Sequence, residues 1–296
     1  MPKGVPEGVP EGVLGRLSGP VLGVLSRRVA LLAPLLLGAC AGPDAGAGAD
    51  GAGGGPGGAT SPERHVPRYA GRPFEPFWRA NAVAIALREW RAFGRAVNDD
   101  PPDTRVVPLE WRPDRQPGLW QRVGDYWWFG QDAETAEAGS TGKYNRWGMP
   151  YEGEPTAWSA AFVSYVMRAA GANGKFLYSP THSDYINAAA SGLPGLAAER
   201  PEAYAPRIGD LICTGRDGSQ GMRFDALPTG RFPSHCDIVV EANPGQLKVV
   251  GGNVAGGVGL KHVPTTQTGT LAGPDGVPLD SRYAWFVVLR VLYDDG

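Results

Sequence analysis

The stretch Thr156-Ala157-Trp158-Ser159-Ala160-Ala161-Phe162-Val163-Ser164-Tyr165-Val166-Met167-Arg168-Ala169-Ala170-Gly171 decides the fold class. Its apolar residues recur at helical spacing, Thr156 is a good N-cap and Gly171 a good C-cap, so it predicts a well-marked helix. A second helix is predicted over 182–190, after Pro180-Thr181 and before Gly192. Beyond it the hydrophobic period changes to two: residues 210–214, 236–242, 246–251, 258–263 and 283–293 read as strands separated by Gly, Pro and Asn turns. Helices first and antiparallel strands later define an α+β domain.

Upstream, Phe77, Ala80, Ala84, Leu87 and Trp90 recur at helical spacing within residues 76–97, which predicts an amphipathic helix packing on the main domain. A Pro-rich, irregular connection follows over 99–117. Residues 118–128, Gly-Leu-Trp-Gln-Arg-Val-Gly-Asp-Tyr-Trp-Trp, suit either a cleft wall or an aromatic layer beneath the loop that runs on to Trp147.

The chain of 296 residues is 42% hydrophobic and 20% charged, enough to bury a core and incompatible with a wholly disordered or coiled-coil protein. Net charge is −2 with no Lys/Arg block, which argues against nucleic acid as the main partner. No internal repeat, phosphate-binding loop, dinucleotide fingerprint or zinc-ligand spacing is visible, so neither a cofactor nor a metal is implied.

Arg27 and Arg28 precede an apolar run over 29–37 and then Gly38-Ala39-Cys40, the pattern of a cleaved secretory signal too short to span a bilayer. Leu37-Gly38-Ala39-Cys40 resembles a bacterial lipobox, which implies lipidation of Cys40 and a membrane anchor; a plain signal peptide is the alternative. Ala41 rather than Asp after that cysteine resembles outer-membrane rather than inner-membrane sorting. Residues 41–60 are mostly Gly and Ala and read as a flexible tether. The expected organisation is thus a signal peptide over 1–39, a lipidated cysteine and tether over 40–70, a helical, Trp-rich extension over 71–148, and the α+β domain over 149–296. In an oxidising envelope compartment, Cys213 and Cys236 are compatible with a disulfide or with two buried thiols.

Ser159 lies near the start of its helix, where unpaired backbone N–H groups and the dipole favour developing negative charge. His235, opening a strand, is a candidate base for it, and Asn253 at the end of the next strand a candidate orienter of the imidazole. That triad predicts Ser159 Oγ within roughly 2.6–3.2 Å of His235. A first-turn serine that only helps cap a helix, and a histidine that is only a structural hydrogen bonder, are the plainer alternatives. His182 and Asp184 open the second helix as substrate contacts, an alternative base or a solvent-facing cap. Glu152 and Glu154 precede the serine helix and suit a cationic substrate group.

Trp158-Ser159-Ala160-Ala161-Phe162-Val163-Ser164 resembles the Trp-Cys-Ala-Ala-Phe-Val-Ser helix start of the CHAP amidohydrolases, papain-like enzymes related in type to the NlpC peptidases that cleave amide bonds in peptidoglycan. The 206–212 segment Pro-Arg-Ile-Gly-Asp-Leu-Ile resembles their Pro-x-x-Gly-Asp-Leu strand, the 234–240 segment their histidine strand, and Gly251-Gly252-Asn253-Val254 their closing strand. The chain as a whole also resembles the uncharacterised bacterial domain-of-unknown-function family 2272, which implies no activity. The CHAP resemblance implies a papain-like fold, Ser159, His235 and Asn253 as catalytic residues, Trp158 beside the substrate, and peptidoglycan as partner. It departs at Ser159, where those enzymes carry cysteine; a hydroxyl must lose its proton during attack, whereas a thiol ionises readily. Three functions follow as expectations: an envelope-anchored Ser-His-Asn amidase, a silent wall-binding lipoprotein, or a serine esterase or acyltransferase.

Overall fold

A computed structural model describes residues 75–102, 104–131, 139–145, 147–150 and 156–293. The chain folds as an α+β unit in which α1 (Arg79–Ala92), α2 (Leu119–Gly130), α3 (Ser159–Ala169) and α4 (His182–Ala190) precede a six-stranded sheet. The strands are β1 (Leu196–Glu199), β2 (Leu211–Gly215), β3 (Ser234–Asn243), β4 (Gln246–Val254), β5 (Gly257–Pro264) and β6 (Trp285–Val291). Every neighbouring pair is antiparallel and the order is β1-β6-β2-β3-β4-β5.

Strand alternation splits the sheet into two faces. Leu211, Cys213, Cys236, Ile238, Val250 and Leu289 join the core beneath the helices, with Phe162, Val163 and Val166 of α3 and Ile186 of α4. Ile212, Val239, Val249, Val263, Trp285 and Val288 form a smaller core on the other face. The helix predicted over 156–171 is shorter at both ends, and Gly171, with φ +95°, follows its end as expected of a C-terminal glycine.

The segment 118–128, ambiguous in sequence, is helix α2. Val123, Tyr126 and Trp127 face inward against α3 while Trp128 is exposed, so the aromatic density there is largely packing. Glu89 fastens α1 to α2 from within: its carboxylate accepts from Arg122 at 2.8 Å and from the Tyr126 hydroxyl at 2.7 Å. Asp210, the acid of the Gly-Asp-Leu segment, is buried and accepts from Arg79 of α1 at 2.7 Å and from Val291 N–H of β6 at 2.9 Å. That motif therefore ties the first helix to the sheet. β1, not predicted, is an Ala-rich edge strand whose form comes from its ladder with β6.

Candidate active site

Ser159 is the first residue of α3 and Trp158 its N-cap. The first intrahelical bond runs from Phe162 N–H to Trp158 C=O at 2.9 Å. The N–H groups of Ser159, Ala160 and Ala161 thus lack helical acceptors and carry the positive end of the helix dipole. Thr156, expected as the cap, is tied elsewhere: its N–H donates to Ser140 Oγ at 2.8 Å. Trp158, expected at the substrate, is fully buried; its indole N–H donates to Asp114 Oδ2 at 3.2 Å and its ring packs against Tyr126 and Phe93. It anchors the serine helix from below.

Ser159 Oγ lies 2.7 Å from His182 Nε2. Nδ1 of the same ring meets the Tyr185 hydroxyl, one turn further along α4. Burial, reinforced by the charge His235 would carry beside it, holds His182 well below the ordinary histidine range. Burial and the carboxylates of Asp237 and Asp184 push the Tyr185 phenol well up, so it stays neutral.

His235 and Asp237 are two residues apart on β3 and therefore share a face. Nε2 of His235 lies 2.8 Å from Asp237 Oδ1, and Lys261 Nζ of β5 donates to Asp237 Oδ2 at 2.6 Å. Burial alone would raise Asp237, but the Lys261 ammonium and His235 outweigh it and hold the carboxyl well below the usual carboxylate range. Burial lowers His235, opposed by Asp237 and assisted by Lys261. A neutral imidazole facing an ionised carboxylate must donate through Nε2–H, which leaves the lone pair on Nδ1. That Nδ1 is buried and has no hydrogen-bond partner among the described residues.

The expected triad is therefore arranged differently. The hydroxyl of Ser159 pairs with His182, and the acceptor that orients His235 is Asp237, not Asn253. Asn253 sits in the irregular end of β4 with φ +56°, a left-handed conformation that asparagine tolerates better than most residues. Strand β4 forms the partition between the two groups. A Cβ on Gly251 would stand 1.7 Å from Asp237 Oδ1 and 2.9 Å from His235 Nε2, while one on Gly252 would stand 2.6 Å from Phe162 Cβ of the serine helix. The two histidines nevertheless meet, with ring centroids 5.4 Å apart in an edge-on contact.

A cavity of about 320 Å³ opens beside His235 and is lined also by Thr214, Arg216, Asn253, Lys261 and Tyr283; Ser159 is not in its wall. Asp184 is held by two 2.9 Å bonds from Arg231 and one of 2.8 Å from Ser179 Oγ, which locks the start of α4. Cys213 and Cys236 are directly opposed on β2 and β3 and are disulfide-bonded, with Cα atoms 4.1 Å apart. Glu152, Glu154 and Cys40 lie outside the described residues.

Tyr185, Asp237 and Lys261 were not singled out in the sequence. His235-Cys236-Asp237 carried a usable signal, since a carboxylate two residues along a strand lands beside the imidazole. Lys261 carried none, because a lysine in a strand ordinarily reads as solvated.

No match was found among curated proteins, and none among solved structures. Residues 114–291 match DUF2272, a family described as uncharacterised proteins conserved in bacteria, a span that runs from the buried Asp114 under the serine helix to the last strand of the sheet. The chain belongs to that family.

Proposed function

We propose that this protein is a serine hydrolase of papain-like arrangement acting on amide bonds, with Ser159 as nucleophile. The observation that carries the reading is the 2.7 Å contact between Ser159 Oγ and His182 Nε2 at the first residue of α3. With Nδ1–H of His182 donated to the Tyr185 oxygen, Nε2 takes the serine proton as Oγ attacks the carbonyl carbon. The tetrahedral oxyanion is stabilised by first-turn N–H groups of α3. Collapse breaks the C–N bond, and the leaving amine takes the proton from His182. Water then attacks the acyl ester, with His182 Nε2, neutral again, taking its proton and passing it to Ser159 Oγ as the C–O bond breaks; His235, oriented by Asp237, lies edge-on against that ring. Peptidoglycan stem peptides as substrate, Cys40 as a lipid anchor, and an envelope location are the parts of this proposal that rest on the sequence resemblances alone.

One observation favours a non-catalytic, wall-binding reading: Ser159 is 4% exposed and stands behind the cavity rather than in its wall. Mass spectrometry of purified peptidoglycan incubated with the full chain separates the two. The hydrolase reading expects new fragments with wild type and a loss of at least roughly a thousandfold with Ser159→Ala. Equal fragmentation by the alanine variant overturns it, and so does silence from both wild type and Ser159→Cys. Cleavage of small chromogenic esters without amide cleavage assigns the esterase class instead.

A further inference from the structure

The cavity beside His235 is lined by three cationic side chains, Lys261, Arg282 and Arg216, whose charges are unequally committed. Lys261 is spent on Asp237 at 2.6 Å. Arg282 is spent on Asp280 at 2.8 Å and on the backbone oxygens of Asp99 and His262. Arg216 is half-buried, lines the same cavity, and has no ion-pair or side-chain hydrogen-bond partner among the described residues. Asp217, the acidic residue in that wall, is exposed at the tip of the adjoining turn.

The backbone of Arg216 is also fixed relative to the strand that carries the imidazole. Thr214 is paired with His235 and Gly215 with Ser234, and Arg216 N–H donates to Pro233 C=O at 3.0 Å, which continues the ladder past the end of β2. The chain then reverses through Arg216-Asp217-Gly218-Ser219, closed by a 2.7 Å bond from Ser219 N–H to Arg216 C=O, with φ +44° at Asp217 and +91° at Gly218. Positive φ at both central residues is the tight hairpin geometry that Asp-Gly favours. Gly215 permits the return: a Cβ there would stand 1.7 Å from Ser219 O. The backbone that carries the guanidinium is thus fixed one residue beyond the strand pair that holds His235, and its charge is one of the smaller influences that lower His182 and His235.

We propose that Arg216 is the anchor for a carboxylate of the ligand, so that this cavity takes anionic peptides, the carboxylate lying on the guanidinium fork. A partly buried, uncommitted guanidinium suits a planar carboxylate, which it grips with two parallel bonds. The carboxylate comes from a free C-terminus or from an acidic side chain. This deepens the hydrolase reading by naming the charge of its substrate, and rests on it in taking a peptide as occupant; binding does not require Ser159 to react.

The test is calorimetric or NMR titration of the full chain carrying Ser159→Ala, so that affinity is read without turnover. The probes are N-acetyl-Ala-Ala as free acid and as amide, and N-acetyl-Ala-Glu-amide against N-acetyl-Ala-Gln-amide. The free acid, or the glutamate peptide, binds at least about tenfold tighter than its neutral counterpart; which pair shows the difference identifies the source of the carboxylate. Adding Arg216→Gln erases the difference, while Arg216→Lys retains part of it. If Arg216→Gln fails to fold, the lysine variant and the loss of the preference at high salt carry the test. Equal affinity for acid and neutral probes, a preference that survives Arg216→Gln, or no binding by any probe overturns the inference. Acid-selective binding in a chain that cleaves nothing leaves Arg216 standing and removes only the hydrolase reading.

Discussion

Gly251 lies against Asp237 so closely that a Cβ on it would stand 1.7 Å from Oδ1, and a Cβ on its neighbour Gly252 would stand 2.6 Å from Phe162 Cβ on the opposite side. Two successive residues without side chains make β4 thin enough to pass between the serine helix and the His235–Asp237 pair. Gly251→Ala is expected to displace the Asp237 carboxylate, lowering stability by about 1–3 kcal/mol and turnover along with it. Urea unfolding and a turnover assay on the same preparation check this; an alanine variant with wild-type values of both would mean that the carboxylate is not held where the hydrogen bonds place it.

Asp237→Asn replaces an acceptor-only group with an amide that turns its oxygen to Lys261 and its NH₂ to His235. The imidazole must then accept at Nε2 and protonate Nδ1, which reverses the tautomer of the ring that lies edge-on against His182. Turnover is expected to fall by roughly ten- to a hundredfold. Stability falls by about 3–5 kcal/mol because Lys261 is left as an uncompensated buried charge. The double variant Asp237→Asn/Lys261→Met regains most of the stability and none of the turnover.

Tyr185→Phe removes the hydroxyl at His182 Nδ1 and leaves a buried ring nitrogen unpaired. The expected cost is about 1–3 kcal/mol of stability, together with a lower kcat at unchanged KM. A variant that loses stability but keeps kcat would show that His182 takes no proton from Ser159.

Both site histidines are held below their ordinary value of 6.5 by burial. In the unfolded chain they bind protons below that value, whereas in the folded chain they stay neutral until a lower pH. Their contribution to stability is therefore complete above pH 6.5 and is lost as pH falls through the folded values, at up to about 1.4 kcal/mol per pH unit for each histidine. The acid limb of kcat is likewise displaced below pH 6.5. Thermal melts and rate profiles across the acidic range test both, and an acid limb above 6.5 would contradict the burial argument.

The Cys213–Cys236 disulfide closes a sequence separation of 23 residues, including the turn that carries Arg216. Replacing both cysteines with serine is expected to cost about 2–4 kcal/mol. Urea denaturation of the double variant against the oxidised wild type measures it, with no labelling of Cys213 or Cys236 expected in the native chain.

Much of this architecture was legible locally. The 182–190 helix and five of the six strands follow from hydrophobic period and turn residues, because each side chain's environment there repeats along its own element. Helix α2 was harder to read because Trp127 and Trp128 are adjacent aromatics with opposite fates, one buried and one exposed. β1 has no β-branched residue and depends on pairing with β6, far along the chain.

The sequence by itself determined that Ser159 lies in the first turn of a helix, that the strand of His235 carries Asp237 on the same face, and that Gly251 and Gly252 belong to the strand that follows it. These are consequences of periodicity and of the absence of side chains, and they hold wherever the elements go. Only the tertiary structure decided that His182 rather than His235 meets the Ser159 hydroxyl, that Lys261 neutralises Asp237, and that Asn253 takes a left-handed turn position instead of orienting the imidazole. Each depends on how α4 docks against α3 and how β5 lies beside β4. Such contacts are set by packing between distant segments, and no local pattern of residues encodes which polar group is left facing which.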